Sequence, residues 1–211
     1  MRILFIGNSH TFANGLPYQL REMINSAAGR EECQAWMATA GGMDLAWHAA
    51  ESGTQLNLAC HPWNYVVLQQ QSPPFDGYEA LAAGYDGLEP GIRRAGAEPL
   101  LFVTWKRRSA PESDQDELDA AFARLAGERG ARLVPVGAAW RRVRREHPEI
   151  ELYTPDGSHA SPAGSYLAAC VFFHVLIDKK PQGLPARIVV NGTILVDLPP
   201  EQAEALWTVA I

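Results

Sequence analysis

Short runs of consecutive apolar residues alternate along the chain with longer stretches in which apolar residues recur at helical spacing. Strands of a parallel sheet are buried on both faces and therefore read as continuous apolar runs. The pattern predicts five such strands, at residues 3–6, 33–38, 65–69, 99–105 and 132–136. It predicts helices between and after them, at residues 16–28, 44–51, 78–95, 114–129, 138–147 and 162–177.

This alternation of strands and helices predicts the fold class. Parallel neighbours need crossover connections, which place helices on both faces of the sheet. We therefore expect a three-layer α/β/α sandwich with a five-stranded parallel sheet, flavodoxin-like in outline. Ser113 and Asp116 form a candidate capping box for the fourth helix, and Gly130 is its expected C-terminal cap. Ser161 and Pro162 have the residue types that begin a helix.

The pattern changes after residue 180. Two short apolar segments, residues 186–190 and 193–196, flank Asn191-Gly192, a strong hairpin signal. A last helix is expected from residue 200 to residue 210. These elements are too few to form a core of their own. We therefore expect one domain over residues 1–211, with residues 181–211 forming an appended β-hairpin and helix.

Composition narrows the class of protein. The chain has 211 residues, of which 47% are hydrophobic and 20% charged, and its formal net charge is -6. These values are close to those of a globular protein and offer no broad basic face for nucleic acid. The three cysteines are widely spaced, and the histidines lack metal-ligand spacing. The longest apolar stretch, residues 167–177, is too short to cross a membrane, and the N-terminus does not resemble a signal peptide. We expect a cytoplasmic protein that binds neither nucleic acid nor membrane.

Polar residues of catalytic type follow the predicted strands. Ligands bind beyond the carboxyl ends of the strands of an open parallel sheet, so the segments found there carry the functional information. One such segment contains Ser9, and another, before the long late helix, contains Asp156 and His159. The remaining segments are Thr39-Ala40-Gly41-Gly42, Gln69-Gln70-Gln71-Ser72 and Trp105-Lys106-Arg107-Arg108.

These residue types fit nucleophilic catalysis. A serine hydroxyl becomes a good nucleophile when an imidazole accepts its proton and a carboxylate orients that imidazole. Ser9 lies on a tight turn opened by Gly7, while Asp156 and His159 are three residues apart on a loop. The oxyanion that develops during acyl transfer needs hydrogen-bond donors. The candidate donors are the backbone N–H groups of Ser9 and Gly42 and the side-chain amide of Gln69 or Gln71.

Gly7-Asn8-Ser9-His10-Thr11 resembles the first block of SGNH (GDSL-type) hydrolases. Gly41-Gly42 resembles their second block, and Asp156-Gly157-Ser158-His159 is similar to their last. The likeness extends to about residue 178. It is strongest to a branch whose third block reads Val-Val-Leu-Gln-x-Gln-Ser, which here is Val66 to Ser72.

The resemblance implies an esterase or acyl hydrolase without a cofactor or a metal. It implies that Ser9 is the nucleophile, His159 the general base, Asp156 the residue that orients the imidazole, and Gly42 an oxyanion donor. The chain departs from the family in two places. The asparagine that the third block usually supplies is absent, and Gln69, which directly follows the strand, is favoured over Gln71 to replace it. His10 stands beside the nucleophile, where it affects the shape of the acyl pocket.

Several residues remain as substrate-binding candidates, each with a structural alternative. Trp105 is either a pocket wall or part of the core. Lys106 and its two arginine neighbours either form a solvated loop or attract an anionic substrate. The other candidates for substrate contact are Asn8, His10 and Gly41.

The sequence thus predicts a serine ester hydrolase for small-molecule esters. Acetyl and other small acyl esters, including those of carbohydrates, are favoured because no lipid-docking lid is visible. The alternatives are a non-catalytic ligand- or carbohydrate-binding α/β domain and a GDSL esterase of the lipase or lysophospholipase type. The pattern does not indicate an oligomeric state.

Overall fold

The computed structural model describes residues 1–27, 32–70 and 74–211, and within these ranges the chain forms seven strands and nine helices. The strands are β1 (Arg2–Gly7), β2 (Gln34–Thr39), β3 (Tyr65–Leu68), β4 (Glu98–Phe102), β5 (Arg132–Val134), β6 (Arg187–Val190) and β7 (Thr193–Asp197). The helices are α1 (Ser9–Phe12), α2 (Leu16–Ser26), α3 (Leu45–Ala50), α4 (Ser52–Cys60), α5 (Tyr78–Ala95), α6 (Glu112–Arg129), α7 (Val136–Glu146), α8 (Pro162–Ile177) and α9 (Pro200–Val209).

The first five strands form one parallel sheet in the order β2-β1-β3-β4-β5. This is the flavodoxin-like order, and the chain reverses its direction of winding between β1 and β3. Loops that leave the carboxyl ends of these two strands diverge, which opens a crevice above them. The turn after β1, which carries Ser9, lies at this crevice. The predicted fold class is confirmed.

Alternate residues of each strand face opposite layers, and each layer has its own core. Ile3 and Phe5 pack with apolar residues of α2, α7, α8 and α9. Leu4 and Ile6 pack with apolar residues of α3, α5 and α6 and with Leu58 of α4. Residues 3–7 of β1 and 66–68 of β3 are buried on both faces, so these strands read as unbroken apolar runs, whereas the edge strand β2 is mostly half-buried.

Most helix ends follow local residue chemistry. The Ser161 side chain accepts a hydrogen bond from the backbone N–H of Gly164 at the start of α8, as predicted. Gly130 ends α6 with a φ of 67°, a left-handed conformation that glycine adopts without strain. The capping box at Ser113 is wrong. Helix α6 begins at Glu112 directly after Pro111, so Ser113 already lies within the first turn.

Other differences from the predicted elements are local. β5 ends at Val134, since Pro135 has no N–H to donate to a ladder. β4 ends at Phe102, before Trp105. Helix α4 was not predicted, because its residues lack a clear apolar stripe; it begins where the Glu51 carboxylate accepts the N–H groups of Gly53 and Thr54. Ala28, the predicted last residue of the first helix, lies outside the described residues.

The C-terminal hairpin and helix are present as predicted. β6 and β7 pair antiparallel, and Asn191 and Gly192 between them have φ values of 48° and 81°. Positive φ at both central residues is typical of a two-residue hairpin turn. Ile188 of β6 and Leu206 of α9 belong to the same apolar core as Ile3 and Phe5 of β1 and the buried residues of α8.

Among the described residues no helix is long and apolar enough to cross a membrane. The described residues likewise hold no group of three or more His, Cys, Asp or Glu side chains placed to bind a metal ion.

Candidate active site

Ser9 begins helix α1 directly above the end of β1. The turn is tight because Gly7 lies against two polar side chains: a Cβ at Gly7 would be 2.6 Å from both Gln69 Oε1 and Thr11 Oγ1. A side chain at this position would displace the turn. Glycine is therefore required at position 7 because the Gln69 and Thr11 side chains lie close to its backbone. The sequence pattern predicts only a sharp bend there.

Ser9, His159 and Asp156 form a continuous chain of hydrogen bonds. Ser9 Oγ lies 2.8 Å from His159 Nε2. His159 Nδ1 lies 2.6 Å from Asp156 Oδ2. The structure thus brings together three side chains that are separated by up to 150 residues along the sequence. Their order is that of a hydroxyl, an imidazole and an orienting carboxylate.

Asp156 fixes the protonation of the imidazole. Hydrogen bonds hold the pKa of Asp156 well below its usual range, first from the His159 side chain and then from the backbone N–H groups of Ser158 and His159 and the hydroxyl of Thr154. The carboxylate is therefore ionised at neutral pH and accepts the Nδ1 proton of His159. Nε2 is left with a lone pair that faces Ser9 Oγ, as removal of the hydroxyl proton requires.

Two hydrogen bonds anchor the loop that carries Asp156 and His159. Gly157 has a φ of 67°, and its carbonyl accepts the Arg108 N–H at 2.8 Å. The Ser158 carbonyl accepts the indole N–H of Trp105 at 2.9 Å. The segment after β4 therefore supports this loop, which explains how residues on a loop keep a defined geometry.

Asn8 organises the opposite side of Ser9. Its Oδ1 accepts the His10 N–H at 3.1 Å, and its Nδ2 donates to the Met43 carbonyl at 3.0 Å. Asn8 is buried, so it holds the turn and the Gly41-Gly42 segment together and does not face a substrate, contrary to the expectation. Gly41 and Gly42 are exposed, and Gly42 has a φ of 73°. Within the described residues, the N–H groups of Ser9 and Gly42 donate to no protein atom.

Gln69 lies beneath the turn. Its Oε1 accepts both the backbone N–H of Asn8 and the hydroxyl of Thr11, each at 2.9 Å. An N–H can only donate, so the atom that faces it is the amide oxygen and not the NH₂ group. The NH₂ group donates to the Gln70 carbonyl, and the side chain is fully buried. This geometry does not support the expected oxyanion role of Gln69. The Gln69 side chain instead holds the turn formed by residues 7–9. Gln71 lies outside the described residues.

His48 supports the same turn, a role that no motif around it had indicated. Its Nε2 lies 2.9 Å from the Gly7 carbonyl, and its Nδ1 lies 3.0 Å from the hydroxyl of Thr54. Burial lowers the pKa of His48, which favours the neutral ring. A carbonyl only accepts, so Nε2 carries the proton. The only sequence signal is that His48 follows Leu45 by three residues and shares the buried face of α3.

Trp105 and Lys106 are both buried. Trp105 is buried and stacks on Trp140 with ring centroids 3.8 Å apart, so it belongs to the core. Lys106 is 7% exposed, and its Nζ donates to the Ala110 carbonyl and pairs with Glu112. The charge of Lys106 is therefore offset by Glu112, and its side chain is not a solvated loop residue.

The neighbouring arginines differ. Arg108 pairs with Glu151 at 2.7 Å, which offsets its charge. Arg107 is exposed, and its charge contributes to lowering the pKa of His10. His10 itself is buried, with its ring stacked against that of His159.

Comparisons with known proteins place this geometry in a family. No protein-family model and no curated protein matches the chain. A solved structure from Slackia heliotrinireducens, assigned to the SGNH hydrolases, is 33% identical with a TM-score of 0.72, and the match covers 83% of this chain and 98% of that chain. A DUF4886 family protein from Bacteroides uniformis has the same fold, with 20% identity, a TM-score of 0.78, and coverage of 100% of this chain and 93% of that chain.

A variant of an acetyl-xylooligosaccharide esterase from a Geobacillus species also shares the fold. It is 14% identical with a TM-score of 0.66, and the match covers 82% of this chain and 92% of that chain. At this identity the likeness concerns the fold alone. The match to the Slackia protein extends over nearly its whole length, and the chain therefore belongs to the SGNH hydrolase superfamily.

Proposed function

We propose that this hydrolase is a serine esterase that acts through an acyl-enzyme intermediate, with Ser9 as nucleophile, His159 as general base and Asp156 as the orienting carboxylate. The observation that carries the proposal is the hydrogen-bond chain from Ser9 Oγ through the His159 ring to Asp156 Oδ2. A serine hydroxyl beside an imidazole, with the carboxylate behind the ring, is arranged for attack on a carbonyl carbon.

In acylation, His159 Nε2 takes the hydroxyl proton as Ser9 Oγ bonds to the ester carbonyl carbon. The carbonyl oxygen becomes an oxyanion, for which the N–H groups of Ser9 and Gly42 are the candidate donors. His159 then gives its proton to the departing alcohol as the C–O bond breaks. In deacylation, water attacks the acyl group while His159 takes a water proton, which it passes to Ser9 as the acid leaves. Asp156 stabilises the imidazolium in both halves.

We propose small acyl esters, acetyl esters of carbohydrates among them, as the substrate class. Trp105 fills the protein interior beside the loop that carries His159, which supports a short acyl group. Phe12, one turn after Ser9, and Met43, directly after Gly42, are apolar and exposed, and they offer surface to the flat face of a sugar ring. The fold likeness to an acetyl-xylooligosaccharide esterase agrees with this choice.

A fluorophosphonate probe tests the nucleophile. We expect it to add one covalent label, at Ser9, because only a serine with an activated hydroxyl reacts at a useful rate. Peptide mass spectrometry of the labelled protein locates the adduct, and denatured protein is the control. Native protein that stays unlabelled while its circular dichroism reports an intact fold would contradict the proposal.

A series of p-nitrophenyl esters tests the substrate class. We expect kcat/KM to be highest for acetate or propionate and to fall by about tenfold or more at octanoate, since each added methylene must find apolar surface that a short pocket lacks. The series is measured at one pH with the Ser9→Ala variant as the blank. A maximum at octanoate or longer chains would favour the lipase-type alternative.

A further inference from the structure

His10 directly follows Ser9, and its side chain points into the protein. It is 5% exposed. Its ring stacks on the ring of His159, with centroids 5.1 Å apart and 27° between the planes. It also contacts the indole of Trp105, at a centroid distance of 5.4 Å. Because the His159 side chain is 38% exposed, the stacked His10 ring is a protein surface that limits how the His159 ring can turn.

Trp105 also holds the peptide group that precedes His159. Trp105 Nε1 donates to the Ser158 carbonyl at 2.9 Å. The Ser158 carbonyl also raises the pKa of His10, against the larger effect of burial, which lowers it. The rings of His10 and Trp105 therefore both lie beside Ser158, the residue before His159.

The His10 ring is uncharged at neutral pH. Burial, followed by repulsion from His159, lowers the pKa of His10 to about 4. The charge of Arg107 acts in the same direction, and that of Asp156 acts against it. His159 becomes a cation during the proposed reaction, and a neutral neighbour does not oppose that charge, whereas a cation would.

The stacking contact with His159 does not depend on the Nε2 atom of His10. Its Nε2 is buried and has no hydrogen-bond partner in the described part of the chain. A phenyl ring would occupy similar space without a buried unpaired nitrogen, which is costly to leave unsatisfied.

We propose that His10 is a positioning residue for the reaction: its ring, stacked on the ring of His159, keeps His159 Nε2 directed at Ser9 Oγ. The inference rests on the proposed function, because it matters only if His159 is the base. His10 acts through His159 and is not expected to contact the substrate.

The test compares His10→Leu, which removes the planar ring, with His10→Phe, which keeps it. We expect His10→Leu to lower kcat for p-nitrophenyl acetate by about 10-fold to 100-fold, since a small misplacement of a catalytic group has effects of this size. KM should change by less than about twofold, because binding surfaces are untouched. His10→Phe should recover most of the lost kcat. His174→Leu, in the last turn of α8, is the matched control and should leave kcat unchanged.

Melting temperatures separate positioning from stability. A purely structural role predicts that any loss follows the melting temperature and that kcat per folded molecule is unchanged. Wild-type kcat in His10→Leu, a rise in KM alone, or His10→Phe no faster than His10→Leu would each overturn the proposal. If His10→Leu does not fold, His10→Gln replaces it; it keeps an N–H donor but has no ring, and its kcat should fall below that of His10→Phe.

The two proposals fail in different ways. If wild-type protein hydrolyses no ester and Ser9 takes no fluorophosphonate label, the proposed function is wrong. If wild-type protein is active and requires Ser9, but His10→Leu retains full kcat, only the role of His10 is wrong.

Discussion

Replacing Ser9 by alanine is expected to lower kcat for p-nitrophenyl acetate by about 10⁴-fold to 10⁶-fold. The variant keeps the N–H groups of Ser9 and Gly42 and the imidazole of His159 but lacks the atom that bonds to the acyl carbon. Only the residual rate from binding and oxyanion stabilisation should remain. The measurement is kcat from initial rates on the purified variant, with the melting temperature taken in parallel.

Ser26→Ala is the matched control for this substitution. Ser26 donates its hydroxyl to the Met23 carbonyl near the end of α2, outside the catalytic loops. The control should retain wild-type kcat. A Ser9→Ala variant that keeps more than a tenth of the activity would exclude Ser9 as the nucleophile. If wild-type protein binds sugars without hydrolysing any ester, and Ser9→Ala binds them equally well, the binding-module alternative is correct.

Asp156→Asn is expected to lower kcat by about 10⁴-fold with little change in folding. Asp156 Oδ1 accepts three hydrogen bonds, from the Thr154 hydroxyl and the N–H groups of Ser158 and His159. These donors will hold the oxygen of an asparagine in the same place, so its NH₂ group must face His159 Nδ1. Nδ1 then accepts a hydrogen bond in place of donating one, and the neutral ring carries its proton on Nε2. In that tautomer His159 cannot take the proton of Ser9.

The rate is measured as kcat on p-nitrophenyl acetate across neutral pH, and the fold is checked by circular dichroism. Asp178→Asn is the control: Asp178 ends α8 with a φ of 54°, a conformation that asparagine also adopts, and it lies outside the proposed site. A loss of less than about tenfold in Asp156→Asn would show that the orientation of the imidazole does not depend on this carboxylate.

The turn formed by residues 7–9, which carries Ser9, depends on buried polar side chains from neighbouring elements. Gln69 after β3 bonds to the Asn8 N–H, and His48 of α3 bonds to the Gly7 carbonyl. Asn8 in turn bonds to the Met43 carbonyl beside Gly42. Each bond satisfies a buried polar group that would otherwise be costly. Together they fix the backbone on both sides of Ser9, so that a small turn of α1 gives its hydroxyl a defined direction.

Much of the fold could be predicted because its signals are local. The continuous apolar runs mark strands buried on both faces, and Ser161 and Gly130 mark helix ends through bonds and angles within a few residues. Helix α4 was missed because its cap is a glutamate and its apolar residues lack a clear period. The capping box at Ser113 failed because Pro111 already allows α6 to begin two residues earlier.

The apolar and polar pattern of the chain was enough to predict the order of the elements, the parallel sheet, and the polar residues at its carboxyl edge, Ser9, Asp156 and His159 among them. It did not determine what each polar group bonds to. The three-dimensional arrangement was needed to show that Gln69 turns inward, that Lys106 is paired, and that His48 bonds to the Gly7 carbonyl while His10 stacks on His159. The reason is physical: hydrophobic periodicity is a property of neighbouring residues, whereas hydrogen-bond direction depends on side chains brought together from distant parts of the chain.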